Sequence, residues 1–177
     1  MSDSILIAGI GNIFNRDDAF GVSVVTKLAA TPLPDNVRVV DFGIRGFDLV
    51  LALLEGNGLT VFVDAVKRGS PPGTLYKIEP DPSDIPDLIE SGVLENAHGL
   101  DPLKVLGMAK SLGASLGRVI VIACEADTLG DDTGHIGLSE SVQAAVEPAI
   151  EMIHAVIDEF NGLGMGIRIP SRKVGAK

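Results

Sequence analysis

Four short runs of apolar and β-branched residues, at 4–9, 37–42, 59–66 and 118–123, alternate with segments of helical periodicity, and this alternation constrains the fold more than any other feature. A strand that is apolar at nearly every position is buried on both faces, the condition of a parallel sheet covered by helices on each side. Residues 19–30 place Phe20, Val24 and Leu28 on one helical face, and residues 47–54 predict a helix with a nearly continuous apolar surface. Asp101 followed by Pro102 is a helix entry, with an N-cap carboxylate and a first-turn proline, and predicts a helix to about Leu112 before Gly113. The final helix is expected from Ser139 towards Phe160, bent at Pro148, which removes a backbone donor. After the turn at 69–73, residues 74–78 suit a short edge strand, antiparallel to its neighbour if the sheet is mixed. Residues 80–99 carry Pro80, Pro82 and Pro86 among acids and read as an irregular loop, with at most a helical turn near 87–91. The expected fold is a three-layer α/β/α domain with a largely parallel, or mixed, central sheet. It occupies residues 1–160, and residues 161–177 form a flexible basic tail.

Composition narrows the function classes. A chain of 177 residues suits one domain with a real core. Its longest apolar stretches are strand-sized, which predicts no membrane insertion. The polar start at 1–4 is followed by an apolar run with neither a basic leader nor a small-residue cleavage site, which points away from secretion. Cys124 is the only cysteine, so an intramolecular disulfide and a four-cysteine metal site are excluded and a reducing cytoplasm fits best. The net charge is -10, and setting aside the positive charges of Arg168, Arg172, Lys173 and Lys177 leaves -14 for residues 1–167. So acidic a body argues against nucleic acid as a partner, because phosphate binding needs clustered Lys and Arg.

In an open α/β sheet, reactive groups collect in the loops after the carboxyl ends of the strands. Three such regions carry chemistry here: Gly9-Ile10-Gly11-Asn12 leading to Asp17-Asp18, the strand ending in Asp64, and His98 before the helix at Asp101. Two carboxylates and one imidazole form an O/O/N set suited to a borderline divalent ion such as nickel, zinc or cobalt, with positions left open for water or substrate. Each residue also has an ordinary reading. An acid at a helix start commonly caps backbone donors, which suits Asp17 or Asp18. Asp64 ends the apolar run Val61-Phe62-Val63 and suffers desolvation unless it meets a cation or several donors, so turn formation and function weigh equally. A lone loop histidine is more often structural than a ligand. Cys124 reads as a small core residue, His154 as a packing or surface residue, and His135 as a possible aid to binding. A dinucleotide site fits Gly9, Gly11 and Asp41, but Phe14 stands where the third glycine belongs. Neither a Gly-x-Ser-x-Gly elbow nor a His-Glu-x-x-His pair is present.

The run Gly9-Ile10-Gly11-Asn12-Ile13-Phe14-Asn15-Arg16-Asp17-Asp18-Ala19-Phe20-Gly21 resembles the N-terminal signature of the hydrogenase maturation endopeptidases. The resemblance continues through Asp41-Phe42-Gly43-Ile44-Arg45-Gly46, Val63-Asp64-Ala65, His98-Gly99-Leu100, His135-Ile136-Gly137-Leu138-Ser139 and Glu147-Pro148-Ala149. It implies Asp18, Asp64 and His98 as the metal-contacting and catalytic residues, with Asp18 where many relatives carry glutamate. It also implies nickel supplied by the substrate, with other divalent ions able to occupy the site. The implied partner is a nickel–iron hydrogenase large-subunit precursor, cleaved near its C-terminus in the cytoplasm. A non-catalytic, nickel-sensing chaperone that binds the same precursor is the competing expectation.

Overall fold

Strand β1 (Ile5–Ile10) is buried at all six positions because it lies inside the sheet, between β2 (Val37–Gly43) and β3 (Leu59–Val66). In the computed structural model, which describes residues 3–85, 101–130 and 134–163, five strands form one sheet in the order β2-β1-β3-β5-β4. Strand β5 (Arg118–Glu125) pairs in parallel with β3, and β4 (Leu75–Ile78) closes the edge antiparallel to β5. The sheet is therefore mixed, with the antiparallel member at the edge that residues 74–78 led one to expect.

The side chains of the central strands alternate between two cores, as a period of two requires. Ile5, Ile7, Val61, Val63, Ile120 and Ile122 pack with helices α1 (Phe20–Leu28) and α4 (Glu140–Phe160). Leu6, Ala8, Phe62, Val119 and Val121 pack with α2 (Gly46–Leu54) and α3 (Pro102–Ser111). This is the expected three-layer arrangement, and its helices begin within a residue or so of where the sequence placed them. Asp101 caps α3 through its side chain, which accepts from the Leu103 N–H at 2.9 Å. Residues 87–91 and His98 lie outside the described residues, as does the tail from 164 onward. No described helix is long and apolar enough to cross a membrane.

The strand order has a functional consequence. The chain passes from β1 to β2 on one side and returns through α2 to β3 on the other, so the carboxyl ends of β1 and β3 border the crevice where open α/β sheets bind ligands. The loop after β1 folds back over that crevice because Gly11 lets it. A Cβ on Gly11 would lie 1.7 Å from the Asp18 carbonyl oxygen, and its φ of +134° is a conformation that side chains rarely adopt. Gly21 lets the start of α1 approach the ends of β1 and β3, since a Cβ there would lie 2.1 Å from the carbonyl oxygen of Val63.

Gly11→Ala should therefore displace the segment that carries Asp18. The expected loss is about 2–4 kcal/mol in denaturant unfolding, from overpacking against backbone together with the strained φ.

Candidate active site

Three carboxylates are buried among the described residues, Asp17, Asp64 and Glu125, and they differ in how their charge is met. Asp17 and Asp18 belong to a 3-10 turn, Arg16–Ala19, that leads into α1. The Asp17 side chain, fully buried, accepts from the backbone N–H groups of Asp127 at 2.9 Å, Thr128 at 3.0 Å and Ser139 at 2.6 Å, and from the Ser139 hydroxyl at 2.9 Å. Burial pushes its pKa up, but these donors outweigh it and hold the carboxyl below the usual range. Ser139 precedes α4, so an anion sits at that helix's N-terminus, where free N–H groups and the dipole favour one. The capping expected of this acidic pair thus falls to Asp17, and it acts on a helix more than a hundred residues away.

Glu125, at the end of β5, is satisfied in the same manner. It accepts from the N–H groups of Arg68 and Gly69 at 2.8 Å each and from the Tyr76 hydroxyl at 2.7 Å. Burial opposes its charge, and the Tyr76 and backbone donors more than compensate, leaving the pKa lowered. Glu125 ties the turn after β3 to the edge strand. Sequence reasoning assigned it nothing, although a glutamate closing the apolar run Val119-Ile120-Val121-Ile122-Ala123-Cys124 carries the same signal that singled out Asp64.

Asp64 is the exception. It is 8% exposed, near the carboxyl end of β3, and its one hydrogen bond among the described residues comes from the Ala65 N–H at 2.8 Å. Burial, together with the charges of Asp18 and Asp101, pushes its pKa up to about 7. Alternation along β3 puts Asp64 on the Phe62 side of the sheet, the side covered by α2 and α3.

Asp18 lies close enough for its charge to act on Asp64. It is half-buried, oriented by the Asn12 N–H at 2.8 Å, and its own pKa is raised by burial against that single hydrogen bond. The structure thus brings together two of the three residues singled out from the sequence, Asp18 and Asp64; His98 lies outside the described residues. Asp101, three residues after His98, is near enough to raise Asp64. Among the described residues no three His, Cys, Asp or Glu side chains form a complete metal-binding group. What they do form is a pair of under-solvated, mutually repelling carboxylates, which a divalent cation would neutralise.

The remaining candidates separate cleanly. Cys124 is buried in the α1/α4 core, and burial with the nearby Asp17 and Glu125 charges pushes its thiol up to about 12, far from a nucleophile's range. His154 is half-buried in α4, as a packing residue would be. His135 has an exposed side chain, and its backbone bridges the site loop: its N–H donates to the Phe14 carbonyl and its carbonyl accepts from the Arg16 N–H, both at 2.8 Å. Between those bonds Arg16 is held at φ +53°, a left-handed conformation that its neighbours impose. The close approach that Gly11 permits is taken by a carbonyl oxygen, an acceptor, and Asp41 is exposed, so the glycine loop does not have the features of a phosphate cradle.

Residues 22–156 match the family profile described as hydrogenase maturation protease. A Methanocaldococcus jannaschii protein assigned as a hydrogenase maturation protease is 35% identical over 150 residues, covering 84% of this chain and 93% of its own. The hydrogenase 2 maturation protease of Escherichia coli is 29% identical over 156 residues, covering 88% and 91%. Among solved structures, the hydrogenase maturating endopeptidase HybD from Escherichia coli superposes with a TM-score of 0.72 at 28% identity, covering 88% of this chain and 93% of that one.

The buried carboxylates should respond to substitution with opposite signs. Asp17→Ala leaves four donors without their acceptor and should cost about 3 kcal/mol or more in urea unfolding. Asp64→Asn removes a desolvated charge and should leave stability equal or higher. The folded form of Asp64 holds its proton up to about pH 7, above the unfolded value, so the folded state binds more protons between those limits. Its contribution to stability should therefore rise as pH falls from about 8 towards 5 in the presence of a chelator, a rise absent from Asp64→Asn.

Proposed function

The chain belongs to the hydrogenase maturation protease family, and on that premise we propose that it removes the C-terminal extension of a nickel-loaded large-subunit precursor of a nickel–iron hydrogenase. It is an endopeptidase, a peptide-bond hydrolase. Asp18, Asp64 and His98 contact the nickel ion, which arrives as part of the substrate. The observation that carries this reading is the unmet charge of Asp64, beside a second carboxylate whose pKa is also raised. Burying such a pair costs stability unless a partner supplies positive charge, and sites of this kind mark function more often than structure. Two carboxylates and an imidazole suit nickel, with His98, the imidazole the family resemblance implies, as the third ligand.

The same electrostatics supply a checkpoint. A precursor without nickel would drive Asp18 and Asp64 further from water with no compensating charge, and peptide carbonyl oxygens would meet like partial charge. A loaded precursor neutralises the pair and fixes its own scissile bond relative to the two carboxylates. Part of the barrier is then met by orientation. Holding the ion requires Asp64 as the carboxylate, so its raised proton affinity in the free enzyme would fall as the cation arrives, and the pair would act by orienting the loaded precursor. The buried lone thiol suits a reducing compartment, and the reaction belongs to the cytoplasm.

Intact-mass analysis of a cognate precursor incubated with this protein tests the reading. Nickel-loaded precursor should lose a C-terminal fragment, nickel-free precursor should stay intact, and Asp64→Asn should lower kcat/KM by on the order of a hundredfold or more while remaining folded. Binding of the loaded precursor without any cleavage would replace the protease reading with a chaperone.

A further inference from the structure

Helix α2 has two apolar faces. Leu49, Val50, Ala52 and Leu53 are buried towards the sheet, whereas Phe47, 64% exposed, and Leu51, 48% exposed, stand on the outer side. Phe47 and Leu51 lie four residues apart on one side of the helix, and Ile44, 69% exposed, stands in the turn just before it. Apart from Asp48, which pairs with Arg45, the outer side of α2 is apolar, whereas the solvent side of an outer-layer helix is ordinarily polar. The nearly continuous apolar surface expected from residues 47–54 is therefore only half explained by the core.

The stripe begins at the rim of the candidate active site. The Gly43 carbonyl, one residue before Ile44, accepts from the Gly11 N–H at 3.0 Å, so Ile44 emerges beside the loop that holds Asn12 and Asp18. That loop presents Phe14, 57% exposed, and the backbone bridge between Asn15 and His135 sets Phe14 beside the segment carrying Ile136, 81% exposed. Exposed apolar side chains thus flank the carboxylates on two sides, and the α2 stripe lies over the face of the sheet to which Asp64 belongs.

We infer that the outer face of α2, with Ile44 and the Phe14/Ile136 rim, docks the folded body of the precursor while its C-terminal extension enters the carboxylate site. The inference rests on the substrate proposed above. A protein substrate is the occupant because the stripe is continuous with the place where the scissile bond must arrive. A second copy seated there would cover the entrance. These five residues offer roughly a few hundred Å², less than a stable standard-size interface buries, which suits an enzyme that must release its product. The chain is acidic overall, with -14 over residues 1–167, so the partner that meets this face carries basic residues around an apolar patch.

The test measures cleavage of nickel-loaded precursor, and sedimentation of its complex with the full chain, for Phe47→Glu/Leu51→Glu, for Ile44→Ser, and, as a control, for Leu163→Glu, exposed just after α4 on the opposite face of the sheet. The α2 variants should raise KM roughly tenfold or more, the loss appearing in KM rather than kcat, and weaken the complex to match, while the control is unchanged. Unchanged KM in both α2 variants, with wild type cleaving normally, overturns the docking face and leaves the proposed function standing. A large fall in the melting temperature of free Phe47→Glu/Leu51→Glu and Ile44→Ser would show that the chain covers the stripe itself and overturns it too. So would a wild-type dimer that these variants dissociate. If wild type binds the precursor without cleaving it, loss of binding in the α2 variants still supports the face; absence of wild-type binding overturns both proposals.

Discussion

The buried carboxylate of Asp17 holds the candidate site together. Its two oxygens gather donors from the stretch after β5 and from the start of α4, and its own residue belongs to the turn that enters α1. The turn at residues 16–19 is thereby fixed to two segments more than a hundred residues later in the chain. An ionised group in the interior is tolerated when hydrogen bonds replace its hydration, and four donors at 2.6–3.0 Å do so here. Asp18, half-buried on this anchored turn, is met among the described residues by the Asn12 N–H alone, which leaves most of its oxygen lone pairs available to a ligand.

Asp17 and Glu125 show what a structural buried acid looks like in this fold, and Asp64 shows the contrast. The first two have lowered pKa values because donors outnumber the penalty of burial. Asp64 has one backbone donor and two acidic neighbours, and it is pushed up to about 7. Stability alone would favour asparagine or a small apolar residue at that position. A retained charge that costs stability is the usual signature of a group reserved for a ligand or a reaction. The same tension appears on the surface of α2, where Phe47 and Leu51 meet water although charged residues at those positions would cost the core nothing.

The fold was legible because the inner strands β1, β3 and β5 are buried on both faces, while the part-exposed edge strand β2 still carries a β-branched run. Residues 4–9, 37–42, 59–66 and 118–123 announce themselves as apolar runs, and β1, β2, β3 and β5 occupy those places within two residues at each end. Asp101-Pro102 likewise states its helix start locally, through a side-chain cap and a proline that has no N–H to lose. The edge strand's direction was less legible, because a short alternating segment fits either orientation. Its antiparallel pairing, Leu75 with Cys124 through Ile78 with Val121, is settled by contacts across the chain.

By itself the sequence determined the order of elements, the buried strands, the glycine loop and the acids that deserved scrutiny, because each of these is written in nearest-neighbour chemistry or in the periodicity of one segment. Periodicity and local chemistry could not separate the acids by role, and only the family resemblance pointed to Asp18 and Asp64. Asp17 and Asp18 are adjacent and chemically identical, and Asp64 and Glu125 both end apolar strands; what distinguishes them is the number of donors that distant segments bring within about 3 Å. That number is a property of the tertiary arrangement. The packing of Ser139, Thr128 and Asp127 around Asp17, and of Arg68, Gly69 and Tyr76 around Glu125, turned two of the four into structure. Asp18 and Asp64 were left under-satisfied at the crevice because no comparable set of described donors reaches them.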